Sequence, residues 1–311
     1  MIARAKIAEM IAIGKPWLLL QSSPTSMRMK TLVGLSNNGT VIMWLRTQFK
    51  LALDIVEPTP FLLMLRPRSS AQQWVAAEDY RIEPTVPVFE FTDLYGNLCQ
   101  RLVAQPGEFT VATSAEVMTA DTLDTGTGAP FVLVQDLPDD VLNFLLPSRY
   151  CEAERFSQMT TEICADATPG YDQVASIVAW VASNIVYDYE GGHLLVSATE
   201  VNERGSGVCR DYAHLAIAMC RSVCIPARMV VGYLYELEPM DLHAWFEAYV
   251  GDRWYTFDVM RPLGTGGYVA TGYGRDAADV AVFTQFGPPL IPRHLSVEVT
   301  EIERDVIGGS I

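Results

Sequence analysis

A cysteine, a histidine and an aspartate in the second half of the chain have the side chains of a nucleophilic site. Cys209 follows a Gly-Ser-Gly stretch and lies at the predicted start of a helix, where unpaired backbone N–H groups favour a thiolate over a thiol. An imidazole within hydrogen-bond reach would form an ion pair with that thiolate. A carboxylate behind the imidazole would fix its tautomer and orientation. His243 and Asp258 are the candidates for these two groups.

The elements around His243 and Asp258 predict that the two side chains meet. Three strand-like segments follow the helix, at 227–237, 243–250 and 253–259. A Gly251-Asp252 turn joins the last two segments as a hairpin. His243 begins one strand and Asp258 ends the next, so antiparallel pairing brings both to the same end of the sheet.

The helix that carries Cys209 is predicted over about 208–223, because Pro226 ends it. Another helix is predicted over 172–186, with Asp172 as a plausible N-cap. Its apolar stripe, at spacings of three and four, consists of Val174, Ile177, Val178, Val181 and Ile185. We therefore predict an α+β domain over 148–311, in which one helix packs against an antiparallel sheet.

A different pattern precedes this domain. Between about 47 and 119 short alternating runs such as EFTVATSAEVM are broken by Pro and by a turn at 95–97, with no helical stretch between them. This pattern predicts a β-sandwich over 46–147. We expect 1–45 to be a poorly packed extension, since its apolar run is too short for a signal sequence or a membrane span.

Length and composition limit the classes of function. A chain of 311 residues that is 50% hydrophobic and 19% charged is expected to fold as about two globular units. The net charge of −15 argues against a nucleic acid partner, because phosphate contacts need clustered Lys and Arg. Six cysteines are too sparse for a disulfide scaffold, and without an export signal we expect a reducing, cytoplasmic compartment and no membrane partner.

Longer stretches around the three residues resemble a known family. SATEVNERGSGVCRDYAHLAIAMCRSVCIPARMVVGYL and DLHAWFEAYVGDRWYTFD are similar to the core of bacterial transglutaminase-like proteins, in which GVCRDYAHL carries the nucleophile and HAW carries the base. By this match Cys209, His243 and Asp258 form a papain-like triad. FTDLYGN and LLPSRYC resemble the N-terminal β-domain that often accompanies the core in bacteria. Two departures are Cys224, where the family usually has Gly, and Val259-Met260, where Pro-Thr is more common.

The resemblance implies acyl transfer on a protein or peptide amide. The Cys209 thiolate would attack the carbonyl while His243 protonates the departing amine, which leaves a thioester. Hydrolysis gives a protease, amidase or deamidase, and a lysine amine as acceptor gives a transglutaminase. Segment 259–274 is rich in Gly, and we expect a mobile loop there that favours hydrolysis. No cofactor is implied, and no DxDxDG-type loop indicates calcium.

Two other interpretations remain open. Cys209, His214, Cys220 and Cys224 could suggest zinc, but no CxxC pair is present and the first two point in different directions on one helix. His214 is better explained as a residue packed or hydrogen-bonded under the site. A catalytically idle module that binds a peptide is the alternative from another class. The sequence does not indicate an oligomeric state.

Cys209 should react with iodoacetamide at neutral pH much faster than the other five cysteines, because it alone combines a helix N-terminus with a neighbouring imidazole. Peptide mapping after brief labelling measures this selectivity. Equal labelling of Cys209 and the other cysteines would remove the case for an activated thiol.

Overall fold

Alternating apolar and polar side chains build the long strands of the protein. In the first strand, every second residue from Met43 to Phe49 is buried and the residues between them are more exposed. A computed structural model describes residues 42–189 and 195–303. The predicted extension at 1–45 therefore lies outside the described residues, except for 42–45, which begin this strand.

The described residues form strands β1 (Ile42–Ile55), β2 (Thr59–Leu63), β3 (Gln73–Glu83), β4 (Val88–Thr92), β5 (Leu98–Ala104), β6 (Gly107–Ala120), β7 (Val186–Tyr187), β8 (Ser206–Gly207), β9 (Ala227–Leu234), β10 (His243–Val250), β11 (Arg253–Phe257), β12 (Tyr268–Gly274), β13 (Phe283–Gln285) and β14 (His294–Glu301). The α-helices are α1 (Ser157–Ile163), α2 (Tyr171–Asn184), α3 (Ala198–Arg204) and α4 (Cys209–Ser222). Short 3-10 turns lie at Val134–Asp136, Leu142–Leu145 and Ala153–Arg155. Within the two described ranges, no helix is both long and apolar enough to cross a membrane.

The first half of the chain folds as a β-sandwich. Two four-stranded antiparallel sheets have the strand orders β14-β1-β6-β3 and β13-β2-β5-β4. Their inner faces share one apolar core, in which the Phe61 ring from one sheet stacks on the Phe109 ring from the other at 5.8 Å. The sandwich is therefore held together mainly by apolar burial between its sheets.

The last strands of the chain belong to this sandwich. β14 pairs with β1 and β13 pairs with β2, whereas the sequence-based boundaries place the whole of 148–311 in the second unit. The difference concerns 283–301. Alternation shows which face of a strand is buried but not which distant strand is its partner, so this pairing leaves no local signal.

The second unit is built on a sheet of order β11-β10-β9-β12, with all neighbours antiparallel. Helix α4 packs against this sheet, and every residue of the helix from Asp211 to Arg221 is buried. The predicted helix-on-sheet arrangement and the α+β class are confirmed. Helix α2 is also confirmed, and its stripe from Val174 to Val181 faces the same core. Its predicted N-cap is wrong, because the cap is Gly170 and Asp172 lies inside the first turn.

Two residues with left-handed backbone conformation form the turn between β10 and β11. Gly251 and Asp252 have φ of 54° and 64°, the signature of the two-residue turns that match strand twist. Val250 then pairs with Arg253, and Phe246 with Phe257. This register places the start of β10 beside the end of β11, as the sequence predicts.

Cys224 occupies a position that favours glycine. It follows α4 with φ of 63°, its N–H bonds to the carbonyl of Arg221, and the N–H of Ile225 bonds to the carbonyl of Cys220. These two bonds form a Schellman motif, whose left-handed residue is usually Gly because a Cβ there meets backbone. The departure from the family at this position therefore carries backbone strain.

Cys224→Gly should raise the free energy of unfolding by about 1 kcal/mol, because it removes the strain of a Cβ at positive φ. Urea denaturation of the wild type and the variant measures the change. Cys224→Ala is the matched control, since it removes the thiol but keeps the Cβ. An equal gain from both variants would contradict the strain argument.

Candidate active site

The N-terminus of α4 is shaped by the residues just before Cys209. β8 pairs with β7, and Val208 then turns the chain into the helix with an extended backbone. At Gly207 a Cβ would lie 2.7 Å from the Cβ of Asp211, so only glycine fits there. Cys209 is thus the first helical residue, is partly exposed, and has an N–H with no acceptor inside the helix.

Asp211 caps this helix start from a fully buried position. Its Oδ2 accepts a hydrogen bond from the Val208 N–H at 3.2 Å, and its carboxylate forms ion pairs with Arg204 and Arg210. The carboxylate therefore stabilises the unpaired donors of the first turn and is itself neutralised by two guanidinium groups. This agrees with the simple role of an acid at a helix start.

His243 and Asp258 form a buried pair. Nε2 of His243 lies 2.6 Å from Oδ2 of Asp258, and the two side chains are 1% and 4% exposed. The hairpin brings them together, because His243 begins β10 and Asp258 follows β11 directly. The other carboxylate oxygen, Oδ1, accepts the N–H of Met260 at 2.9 Å. The carboxylate therefore has a donor on each oxygen.

The second ring nitrogen of His243, Nδ1, makes no bond to Asp258. Nδ1 is buried and has no hydrogen-bond partner within the described residues. Burial alone would lower the pKa of His243, but the charge and hydrogen bond of Asp258, together with Cys209, outweigh burial and raise it to about 10. Since a raised pKa keeps the imidazole protonated at neutral pH, the ring is suited to face a thiolate and to donate a proton.

Cys209 and His243 line one cleft of about 510 Å³. Apolar side chains make most of its wall, including Met229, Val231, Leu242, Met260 and Val282, and the charged residues on it are Arg210, Glu238 and Asp241. Its rim at Tyr187, Tyr189 and Leu195 is well exposed. The cleft therefore gives an amide carbonyl a largely apolar approach to the cysteine.

Three aromatic residues near the motif lie in different places. Tyr187 lines the cleft, and burial, followed by the charge of Cys209, raises its pKa to about 12, so its hydroxyl stays protonated. Tyr212 is buried and donates to the carbonyl of Ile185 at 2.9 Å. Trp245 is buried beside His243, and the two ring centroids are 5.9 Å apart. Of the three, Tyr187 borders the cleft.

His214 lies under the site, in agreement with the sequence analysis. It is fully buried, its ring stacks on Tyr150 at 5.2 Å, and its Nε2 accepts the N–H of Ala277 at 3.2 Å. Burial lowers its pKa to about 4. A neutral imidazole that holds a backbone N–H is a structural group, and it connects α4 to the segment that forms part of the cleft wall.

Sequence reasoning missed Tyr268. Its hydroxyl donates to Oδ2 of Asp258 at 3.0 Å, and its ring packs on Trp245.

The predicted mobile loop at 259–274 is wrong, because the second half of this segment is strand β12, which pairs with β9. The first half is hydrogen-bonded as well, through the N–H groups of Gly266 and Gly267 to the carbonyls of Asp121 and Ala120. The sequence signal for a strand was the strand-favouring residues Tyr268, Val269, Thr271 and Tyr273, which the two Gly residues of YVATGYG offset.

No group of three His, Cys, Asp or Glu residues within 42–189 and 195–303 is placed to hold a metal ion. All six cysteines are free, and Cys209 is partly exposed while Cys224 is exposed. The chemistry that this arrangement can perform is that of a thiol with an adjacent, carboxylate-bound imidazole.

Comparison with protein families shows which family the chain belongs to. Residues 157–259 match the model of the transglutaminase-like superfamily, and residues 54–118 match that of the bacterial transglutaminase-like N-terminal region. A crystal structure of a candidate cysteine protease from Cytophaga hutchinsonii is 31% identical, has a TM-score of 0.78, and aligns over 85% of this chain and 92% of its own. The chain belongs to the transglutaminase-like superfamily.

Curated relatives of this transglutaminase-like chain occur in mycobacteria. An uncharacterized protein of Mycobacterium leprae is 29% identical over 235 residues, which is 70% of this chain and 82% of that protein. One of Mycobacterium tuberculosis is 27% identical over 301 residues, or 86% and 90%. The transglutaminase-like core match includes Cys209, His243 and Asp258. Their catalytic roles remain a prediction that the geometry makes testable.

His243→Ala should slow alkylation of Cys209 at pH 7 by about tenfold or more, because the thiolate loses its imidazolium partner. His214→Gln should leave the rate within about twofold, since His214 accepts the N–H of Ala277 and stacks on Tyr150. The rate of iodoacetamide incorporation at Cys209, measured by mass spectrometry, checks both. A large loss in the His214 variant with none in the His243 variant would identify a different base.

Proposed function

We propose that the protein is a cysteine-dependent acyl-transfer enzyme that acts on a protein or peptide amide through a thioester on Cys209. The observation that carries this proposal is the buried His243–Asp258 pair, whose free ring nitrogen lies in the same cleft as the partly exposed thiol. Cys209 is the nucleophile, His243 the acid and base, and Asp258 the residue that orients the ring. Membership of a superfamily that includes cysteine proteases and transglutaminases agrees with both reaction types.

The reaction has two steps. The Cys209 thiolate attacks the amide carbon, and the N–H of Cys209 supports the negative charge that develops on the oxygen. His243 then gives its Nδ1 proton to the leaving amine, so the C–N bond breaks and a thioester and a free amine remain. In the second step an acceptor gives a proton to His243, attacks the thioester and releases the thiolate.

We infer that water is the main acceptor. The mobile loop first expected after Asp258 no longer supports this, since that segment is hydrogen-bonded. The support comes from the open side of the cleft, where Tyr187, Tyr189 and Leu195 are 39%, 56% and 55% exposed. Transfer to an amine requires water to be kept from the thioester, and an exposed rim does not do so.

The same proposal includes the partner of the protein and its compartment. Its partner is a peptide or protein substrate, and the net charge of −15 disfavours a nucleic acid. Six free thiols fit a reducing compartment such as the cytoplasm. A true protein-glutamine transglutaminase is the alternative activity, and Glu238 and Asp241 on the cleft wall would favour a cationic amine acceptor.

With a glutamine peptide and an excess of a dansylated primary amine, we expect more free acid than amine adduct, together with an acyl group on Cys209 in the intact mass. Cys209→Ala should give neither product nor acyl-enzyme, and Cys224→Ala, which alters the exposed thiol, should give both at the wild-type ratio. Mass spectrometry measures all species. Mostly adduct would make the protein a transglutaminase. The absence of any acyl-enzyme, with a peptide library as well, would favour an idle binding module.

A further inference from the structure

Two donors share one oxygen of Asp258. Oδ2 accepts from Nε2 of His243 at 2.6 Å and from the Tyr268 hydroxyl at 3.0 Å, while Oδ1 accepts the N–H of Met260. Each donor that a carboxylate binds withdraws some of its charge, so the Tyr268 bond reduces the strength with which Asp258 holds the proton on His243. Tyr268 is therefore a fourth residue in the hydrogen-bond network of the triad, and the reaction does not consume it.

Tyr268 is fixed as a neutral donor. Burial and the charge of Asp258 raise its pKa, so the hydroxyl keeps its proton. Its ring lies 5.0 Å from that of Trp245, which in turn stacks on His243. The hydroxyl can therefore donate but cannot take a proton from the triad at neutral pH.

The strand that carries Tyr268 is held by the N-terminal sandwich. The Thr119 hydroxyl donates to the carbonyl of Tyr268 at 2.8 Å. The side-chain amide of Gln73 bonds to both backbone groups of Ala270, accepting its N–H at 2.7 Å and donating to its carbonyl at 2.8 Å. Gln73 and Thr119 face each other across β3 and β6. Three hydrogen bonds from one cross-strand pair thus fix the part of β12 next to the triad.

We propose that Tyr268 is a positioning residue that moderates the hold of Asp258 on the His243 proton, and that Gln73 and Thr119 of the sandwich keep it in place. The N-terminal domain is then part of the catalytic unit, because it determines how readily His243 gives its proton to the leaving amine. This inference rests on the proposed function, since it concerns the same triad.

Two further charged or titratable groups in the described residues act on His243 and Tyr268. Cys209 approaches His243 from α4, and Arg261, in the turn after β11, acts on Tyr268 through its charge. Neither is altered by the substitutions below, so a change in the titration of His243 reports on the Tyr268 bond.

The test is the titration of His243 in the full chain, followed by NMR of the histidine Cε1 protons. The chain has four histidines, and the His243 signal is the one absent in His243→Ala. Tyr268→Phe should raise the pKa of His243 by about one unit above the wild-type value, because one charge-assisted hydrogen bond to Asp258 is lost. An unchanged or lowered value would overturn the proposal, since purely structural packing by the ring would not raise it.

The matched control is Tyr273→Phe, which removes a hydroxyl from the same strand. Tyr273 packs on Arg228 and does not reach Asp258, so the titration of His243 should not change. Gln73→Leu should shift the titration in the same direction as Tyr268→Phe and should add nothing in the double variant, because both act through one bond. Additive shifts would overturn the role of the sandwich. If Gln73→Leu does not fold, Thr119→Val tests the same connection.

The titration separates this inference from the proposed function. A raised pKa of His243 in Tyr268→Phe, with no acyl-enzyme in any variant, would support the positioning role and contradict the acyl-transfer proposal. Acyl-enzyme in the wild type with an unchanged titration in Tyr268→Phe would do the reverse. Where both hold, Tyr268→Phe should lower kcat several-fold with little effect on KM, since Tyr268 is not among the described residues that line the cleft of Cys209.

Discussion

The buried ion pair of His243 and Asp258 is the interaction on which the architecture of the site depends. A carboxylate removed from water is stable only if its oxygens are hydrogen-bonded and its charge is matched. Here an imidazole, a backbone N–H and a tyrosine hydroxyl meet those needs. Each comes from a different element, so β10, the turn after β11 and β12 together supply the donors of the Asp258 carboxylate.

The hydrogen bond from Tyr268 to Asp258 needs close packing of β12 against β9. Gly232 on β9 lies opposite both His243 and Ala270, and a Cβ there would come within 2.0 Å of the carbonyl oxygen of Val269. Glycine lets β12 approach, which brings Tyr268 within reach of Asp258. Gly232 thus determines whether the Asp258 carboxylate receives its additional donor.

The two units of the chain depend on each other. The sandwich is completed by β13 and β14 from the C-terminal end, and the sheet that carries His243 is hydrogen-bonded by Gln73 and Thr119 from the N-terminal half. Neither unit can be cut away at a single point in the sequence without removing strands or hydrogen bonds from the other.

The sequence alone determined the features that depend on local pattern. Periodicity predicted α2, Pro226 predicted the end of α4, the Gly-Asp turn predicted the hairpin, and the motif around Cys209 predicted the family. Only the tertiary structure placed β13 and β14 in the sandwich, made β12 a strand where the Gly content suggested a loop, and brought Tyr268 to Asp258. Local sequence encodes which face of an element is apolar, but the partner of a distant strand or buried hydroxyl is decided by packing of the whole chain.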